Sequence, residues 1–205
     1  DRVEGVVISR VDENRTPIPG SEEYVECDTL LLSVGLIPEN ELSREAGVEL
    51  DNVTGGPVVD QYLQTSVPGV FACGNVLQVH DLVDFVTREA YAAGASAARY
   101  ALGGAGYGEG ARIVPTVPGE GVRYIVPQRI VISETEPVGE LRLFYRSTAT
   151  FRDVKVVISA DGETLRTLKR RIVTPGEMEN AILTPDVTEK LRGGKAELKI
   201  DLVRQ

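Results

Sequence analysis

The chain has 205 residues, enough for one large domain or two small ones, and its 42% hydrophobic content with a mean hydropathy of −0.07 excludes disorder and collagen-like architecture. A formal charge of −9 argues against nucleic acid, whose binding is driven by Lys and Arg neutralising phosphates. No run approaches the roughly 18 apolar residues of a membrane span and no export signal opens the chain, so the cytoplasm is the expected location.

The charge is unevenly spread. Residues 1–119 hold 7 Arg, no Lys and 18 acidic residues, whereas residues 120–205 hold 15 basic and 13 acidic residues, so two domains are expected. Cys27 and Cys73 are too few and too far apart for a disulfide framework or a zinc site, and no metal site is expected. The chain opens on Asp1 and its only methionine is Met178, which reads as a piece of a longer polypeptide.

In chain order, residues 3–11 alternate like a strand, residues 12–20 form a polar turn region and residues 22–26 a short second strand. DTLLLSVG at 28–35 is an unbroken apolar run ending in glycine, as expected of a strand buried on both faces of a parallel sheet. A short helix is expected within 38–47, a strand at 58–62, and a second buried strand, GVFACG, at 69–74. Residues 87–102 read as a helix with Thr87 as N-cap and a small-residue face at Ala90, Ala93 or Gly94, Ala97 and Ala101 that would let it lie close to a sheet.

The glycine-rich stretch 103–110 follows a helix and lacks G-x-G-x-x-G spacing, so it reads as linker rather than phosphate loop. Beyond it the pattern changes to short strands at 122–132, 140–148, 154–159, 164–173, 180–183 and 196–203. Asp161-Gly162 marks a hairpin because both positions tolerate positive φ, and Thr184-Pro185 opens one short helix. A small β-sandwich is expected.

The segment that carries chemistry is QTSVPGVFACGN at 64–75: a loop, a buried strand and a stop at Gly74 that delivers Asn75 to a strand end. T-S-x-P-G-V-F-A-x-G-N resembles the second FAD motif of the pyridine nucleotide-disulfide oxidoreductase superfamily, the flavoproteins with two dinucleotide-binding domains. There the last position is normally Asp and hydrogen-bonds a ribityl hydroxyl of FAD. Asn75 departs from that pattern but can still accept and donate.

CDTLLLSVGLIP at 27–38 is similar to the last strand of that family's NAD(P)-binding domain, with Glu39 inserted before Asn40. The resemblance also implies a helix whose N-terminus faces the flavin pyrimidine, with Val86 and Thr87 as amide donors. It places His80 near the flavin, although a His beside an Asp is more often a loop or cap residue than a catalyst. The wording GNVLQVHDLVDFV most resembles the FAD/NAD(P) oxidoreductases found with anaerobic glycerol-3-phosphate dehydrogenase.

The expected fold is thus an α/β remnant of FAD/NAD(P)-binding Rossmann-like domains followed by an all-β domain. Residues 1–40 would close the NAD(P) domain, 41–105 the FAD domain, 106–121 would link and 122–205 form the sandwich. Cofactor-binding residues are Gly74, Asn75, Val86 and Thr87, and no catalytic residue is assigned. Neither glycine fingerprint nor a redox C-x-x-C is present, so the resemblance implies general NAD(P)H–flavin chemistry rather than disulfide reduction. The piece by itself should be inactive, hold no FAD and self-associate. The alternative is a non-catalytic β-sandwich interaction module with a leftover α/β segment, docking a partner oxidoreductase subunit.

Overall fold

The computed structural model describes residues 2–33, 35–103, 110–133 and 137–204. The chain divides into two compact units, Asp1–Gly35 and Leu36–Gln205.

In the first unit β1 (Gly5–Ile8) pairs antiparallel with β2 (Glu23–Glu26), Gly5 opposite Glu26 and Ile8 opposite Glu23. The connection is held by Asp12, whose Oδ1 accepts the amides of Asn14 and Thr16. The run expected as a buried parallel strand at 28–35 is not one over its described residues: Leu30, Leu31 and Leu32 are exposed and unpaired. A strand buried on both faces requires a flanking parallel strand and covering helices. Among the described residues of this unit the only strands are the hairpin pair.

The second unit begins with α1 (Glu41–Glu45), followed by turns in place of the strands expected at 58–62 and 69–74. Isolated bridges Leu50–Pro57 and Gln64–Phe71 are all the β-pairing there. A 3-10 turn, Gly74–Val76, leads to α2 (Val83–Ala101). α2 starts four residues before the expected N-cap. Leu82 occupies the cap position with extended backbone and no side-chain cap, while Thr87 lies inside the helix and its hydroxyl donates to the Val83 carbonyl. Of the small-residue face only Ala93 is buried, together with Glu89.

Strands β3 (Arg112–Pro118), β5 (Arg129–Ile132), β7 (Phe151–Ala160), β8 (Glu163–Val173) and β10 (Leu198–Arg204) form a five-stranded sheet ordered β5-β3-β10-β7-β8. β10 runs parallel to β3 and the other pairings are antiparallel. β4 (Val122–Val126), β6 (Leu141–Ser147) and β9 (Glu179–Leu183) make a three-stranded sheet ordered β4-β6-β9. The strand expected at 122–132 is therefore two strands in two sheets. Pro127, lacking an amide hydrogen, cannot continue a ladder.

Both sheets feed one core of buried Val, Ile and Leu side chains around the fully buried Tyr145. The Asp161-Gly162 turn joins β7 to β8 with φ of 47° and 80°, as its residue types predict. α3 (Pro185–Thr188) begins with proline in its first turn. β3 lies in the stretch expected as linker, 106–121; its alternation shows in buried Val114 and Thr116 but is obscured in the sequence by Pro115 and Pro118. Most of the glycine-rich stretch, 104–109, lies outside the described residues.

Residues 36–103 share one unit with the β strands. Val59, Leu63, Ala72, Leu77 and Ala93 cluster with Tyr124 and Val126 of β4. Gln61 bonds both the amide and the carbonyl of Val131 on edge strand β5, imitating a neighbouring strand. Val59 and Gln128 bond reciprocally, backbone amide to side-chain oxygen and amide to carbonyl.

Candidate functional site

The expected site is built around Gly74. Its φ of +71° is left-handed, which glycine adopts at little cost, and an added Cβ would stand 3.4 Å from Val86 Cγ1. The Gly74 carbonyl accepts the amides of Leu77 and Gln78, closing the turn. Asn75 follows with its side chain exposed, and its Oδ1 accepts the amide of His80 at 3.1 Å. The Asn75 carboxamide is thus held in one orientation from behind, while no hydrogen bond engages its Nδ2 among the described residues.

Beneath the turn lies a buried polar network centred on Glu89, a residue the sequence reading did not single out. Its Oε2 accepts the Gly74 amide and lies 3.0 Å from His80 Nε2, and its Oε1 accepts Gln78 Nε2 at 3.2 Å. The signal was available: Glu89 stands four residues before Ala93, so helical periodicity puts the carboxylate on the same face as that buried alanine. A carboxylate so placed needs donors, and the turn supplies three. His80 is a loop residue, as its setting in the sequence suggests, but a buried one. Its side chain is fully buried, its ring stacks on Phe85 and meets Phe144 of β6 edge-on, and it pairs with Glu89 rather than its neighbour Asp81.

Asn40, also unforeseen, is 1% exposed and donates from Nδ2 to the carbonyls of Gly55 and Val76. It fastens the preceding loop to the end of the Gly74–Val76 turn. Gly56 approaches so closely that a Cβ there would lie 1.8 Å from the Leu77 carbonyl oxygen.

The expected amide donors fall elsewhere. Because α2 begins at Val83, the amides without an i−4 partner are those of its first turn, of which Phe85 bonds the Leu82 carbonyl and Val83 and Asp84 are left, while Val86 and Thr87 sit deeper in the ladder. Leu82 and Val83 are exposed beside those amides.

Cys73, just before the turn, has its thiol pushed up by burial and by the Glu89 carboxylate, which makes it a poor nucleophile. Among the described residues no group of three or more His, Cys, Asp or Glu could hold a metal ion. A cavity of about 200 Å³ lies between α2 and the β strands, lined by Asp60, Phe85, Arg88, Glu89, Arg142 and Phe144 among others. Asp60 is 1% exposed there and burial raises its pKa to about 6, against the opposing pull of the Tyr62 and Gln64 amides and Arg129.

Comparison with known proteins adds to this geometry. Nitrite reductase [NAD(P)H] of Neurospora crassa is 45% identical over 53 residues, 25% of this chain and 4% of that protein. Nitric oxide reductase FlRd-NAD(+) reductase of Salmonella paratyphi B is 38% identical over 63 residues, 31% of this chain and 16% of that protein, and its Salmonella typhi counterpart matches equally. The matches span a small part of each relative's length. No helix among the described residues is long and apolar enough to cross a membrane. Residues 3–99 match the family described as pyridine nucleotide-disulphide oxidoreductase.

Proposed function

We propose that the chain contributes part of the FAD site of an NAD(P)H-dependent flavin oxidoreductase, within a longer polypeptide or assembly that supplies the dinucleotide-binding glycine turns. The observation that carries the reading is Asn75: exposed at a left-handed glycine turn, its Oδ1 oriented by the His80 amide and its Nδ2 free to donate. The residues present fit the group. Asn75 offers a donor and a second acceptor lone pair to a ribityl hydroxyl, and the first turn of α2 presents the Val83 and Asp84 amides with no side chain capping them.

Bound FAD would supply hydride transfer from the nicotinamide to an acceptor. This chain's part is to bind and orient. Asn75 fixes the ribityl chain, and the positive end of α2 favours negative charge on whatever lies before it. The segments assign as the end of an NAD(P)-binding domain for 1–40 and the closing part of an FAD domain for 41–105. The names of the relatives support a pyridine nucleotide as electron donor; the acceptor, and a partner reductase subunit docked on the β strands, belong to the same proposal.

The alternative of a β-sandwich interaction module with a leftover segment is not favoured, because residues 36–103 share a hydrophobic cluster and reciprocal hydrogen bonds with β4 and β5. The test is Asn75→Ala in a chain extended by its upstream dinucleotide-binding halves. A buried ribityl hydroxyl losing its partner costs roughly 1 to 3 kcal/mol, so FAD affinity should fall, while Asn75→Asp should retain flavin. Unaltered flavin occupancy and affinity in Asn75→Ala would refute the assignment.

A further inference from the structure

The loop that follows Asn75 is gripped by the β strands at one point. Arg146 of β6, with a side chain 12% exposed, spends its guanidinium on four acceptors: Tyr124 Oη at 3.1 Å, the Pro175 carbonyl at 3.3 Å, the Val79 carbonyl at 3.0 Å and Asp81 Oδ1 at 2.6 Å. Asp81 Oδ2 in turn accepts the amide of Met178, just before β9, at 2.6 Å. Arg146 on β6 therefore holds Val79 and Asp81, the residues on either side of His80, and the Met178 amide just before β9 holds Asp81 as well. The His80 amide is the donor that orients Asn75.

The chain of contacts runs Arg146 to Val79 and Asp81, these to the backbone of His80, and His80 to the Asn75 carboxamide. Behind it, Phe144 of β6 closes against the His80 ring. A guanidinium satisfying a backbone carbonyl and a carboxylate together fixes direction as well as distance, since its donors lie in a rigid plane. Nothing of this sort is needed merely to glue the β strands to residues 36–103, which the Gln61 and Gln128 bonds and the Val59–Val126 cluster already join elsewhere.

We propose that the C-terminal β domain is a positioning element for the Asn75 turn, with Arg146 and Asp81 as its clasp. What Asn75 binds rests on the FAD reading above, but the clasp itself is read directly from the loop. The experiment is residue-resolved amide hydrogen exchange on this 205-residue chain and on Arg146→Ala, Arg146→Lys and Asp81→Ala. Arg146→Ala should raise exchange at the His80 amide at least about tenfold, as expected for losing charge-assisted hydrogen bonds, while the amides of Ile158 and Ile200 in the five-stranded sheet stay within twofold. Arg146→Lys should fall between, because an ammonium cannot reach all four acceptors.

Unchanged exchange at His80, or a uniform rise across both sheets, would overturn the proposal, the latter by making Arg146 a residue of global stability alone. Should Arg146→Ala fail to fold, Asp81→Ala decides by the same amides. In the extended flavin-binding chain, Arg146→Ala should weaken FAD about tenfold, with Arg146→Lys partly rescuing it. If Asn75→Ala leaves FAD affinity unchanged, the FAD reading fails while the exchange result still judges the clasp. If Asn75→Ala weakens FAD and Arg146→Ala alters neither exchange nor affinity, the clasp fails.

Discussion

Asp60 shows how a residue can be dictated by packing that no local pattern announces. Its Oδ1 accepts the amides of Tyr62 and Gln64, an arrangement typical of a turn-forming aspartate. The β strands then cover it. Burial favours the neutral acid, so the native state keeps its proton up to about 6, whereas an exposed Asp side chain releases it near 3.8. Between those values the folded chain binds more protons than the unfolded one. This group's contribution is therefore full below about pH 4 and is lost as pH rises through 6. Asp60→Asn keeps the acceptor oxygen but cannot ionise. Relative to the parent it should gain stability from pH 4 to 7, by up to about 3 kcal/mol, read as the difference in urea midpoints. A difference independent of pH would show that Asp60 titrates normally.

α2 carries a different lesson. Thr87 was the natural N-cap by residue type, yet the helix runs one turn further back and leaves an exposed leucine at the cap. Hydroxyl preference at caps is worth only about 1 kcal/mol, less than the gain from burying Phe85 between the His80 and Phe144 rings, which the extra turn allows. Leu82 already has the extended backbone a cap requires. Leu82→Ser should accept a first-turn amide and stabilise the chain by about 1 kcal/mol, seen as a higher thermal midpoint. No gain would mean that the first-turn amides are already satisfied. In the β domain, by contrast, strand positions were largely legible, because alternation and the Asp161-Gly162 turn are local properties. The exceptions, β3 and the break between β4 and β5, involve prolines whose position relative to ladder hydrogen bonds depends on the partner strand.

For the whole molecule, residues 36–103 and the β strands form one unit, while 104–109 remain glycine-rich. Limited proteolysis should cut before Arg112 rather than within β3, which is paired on both sides, and the two pieces should stay together through the Gln61, Gln128 and Arg146 hydrogen bonds. Pieces that separate on size exclusion without denaturant would contradict that packing. The exposed leucines Leu30, Leu31 and Leu32, 50%, 88% and 74% accessible, are a second whole-molecule feature. A contiguous apolar stretch in water favours association. The purified chain should be colourless and oligomeric, and Leu31→Lys with Leu32→Ser should shift its light-scattering mass towards one chain. A yellow monomer would contradict this.

Some of the protein follows from the sequence alone. The T-S-x-P-G-V-F-A-x-G-N string, the C-terminal strands and the turn at Asp161-Gly162 are legible because motif, alternation and turn chemistry are properties of neighbouring residues. Tertiary structure decided the rest. The 28–35 run, strand-like by composition, stays unpaired because a parallel strand exists only with flanking strands. Glu89 became the centre of the turn's network, and Arg146 came to grip the loop behind Asn75, because residues 15, 67 and 65 positions apart in sequence were brought into hydrogen-bonding range. Burial and direction of this kind are set by packing between distant segments, and no local pattern encodes them.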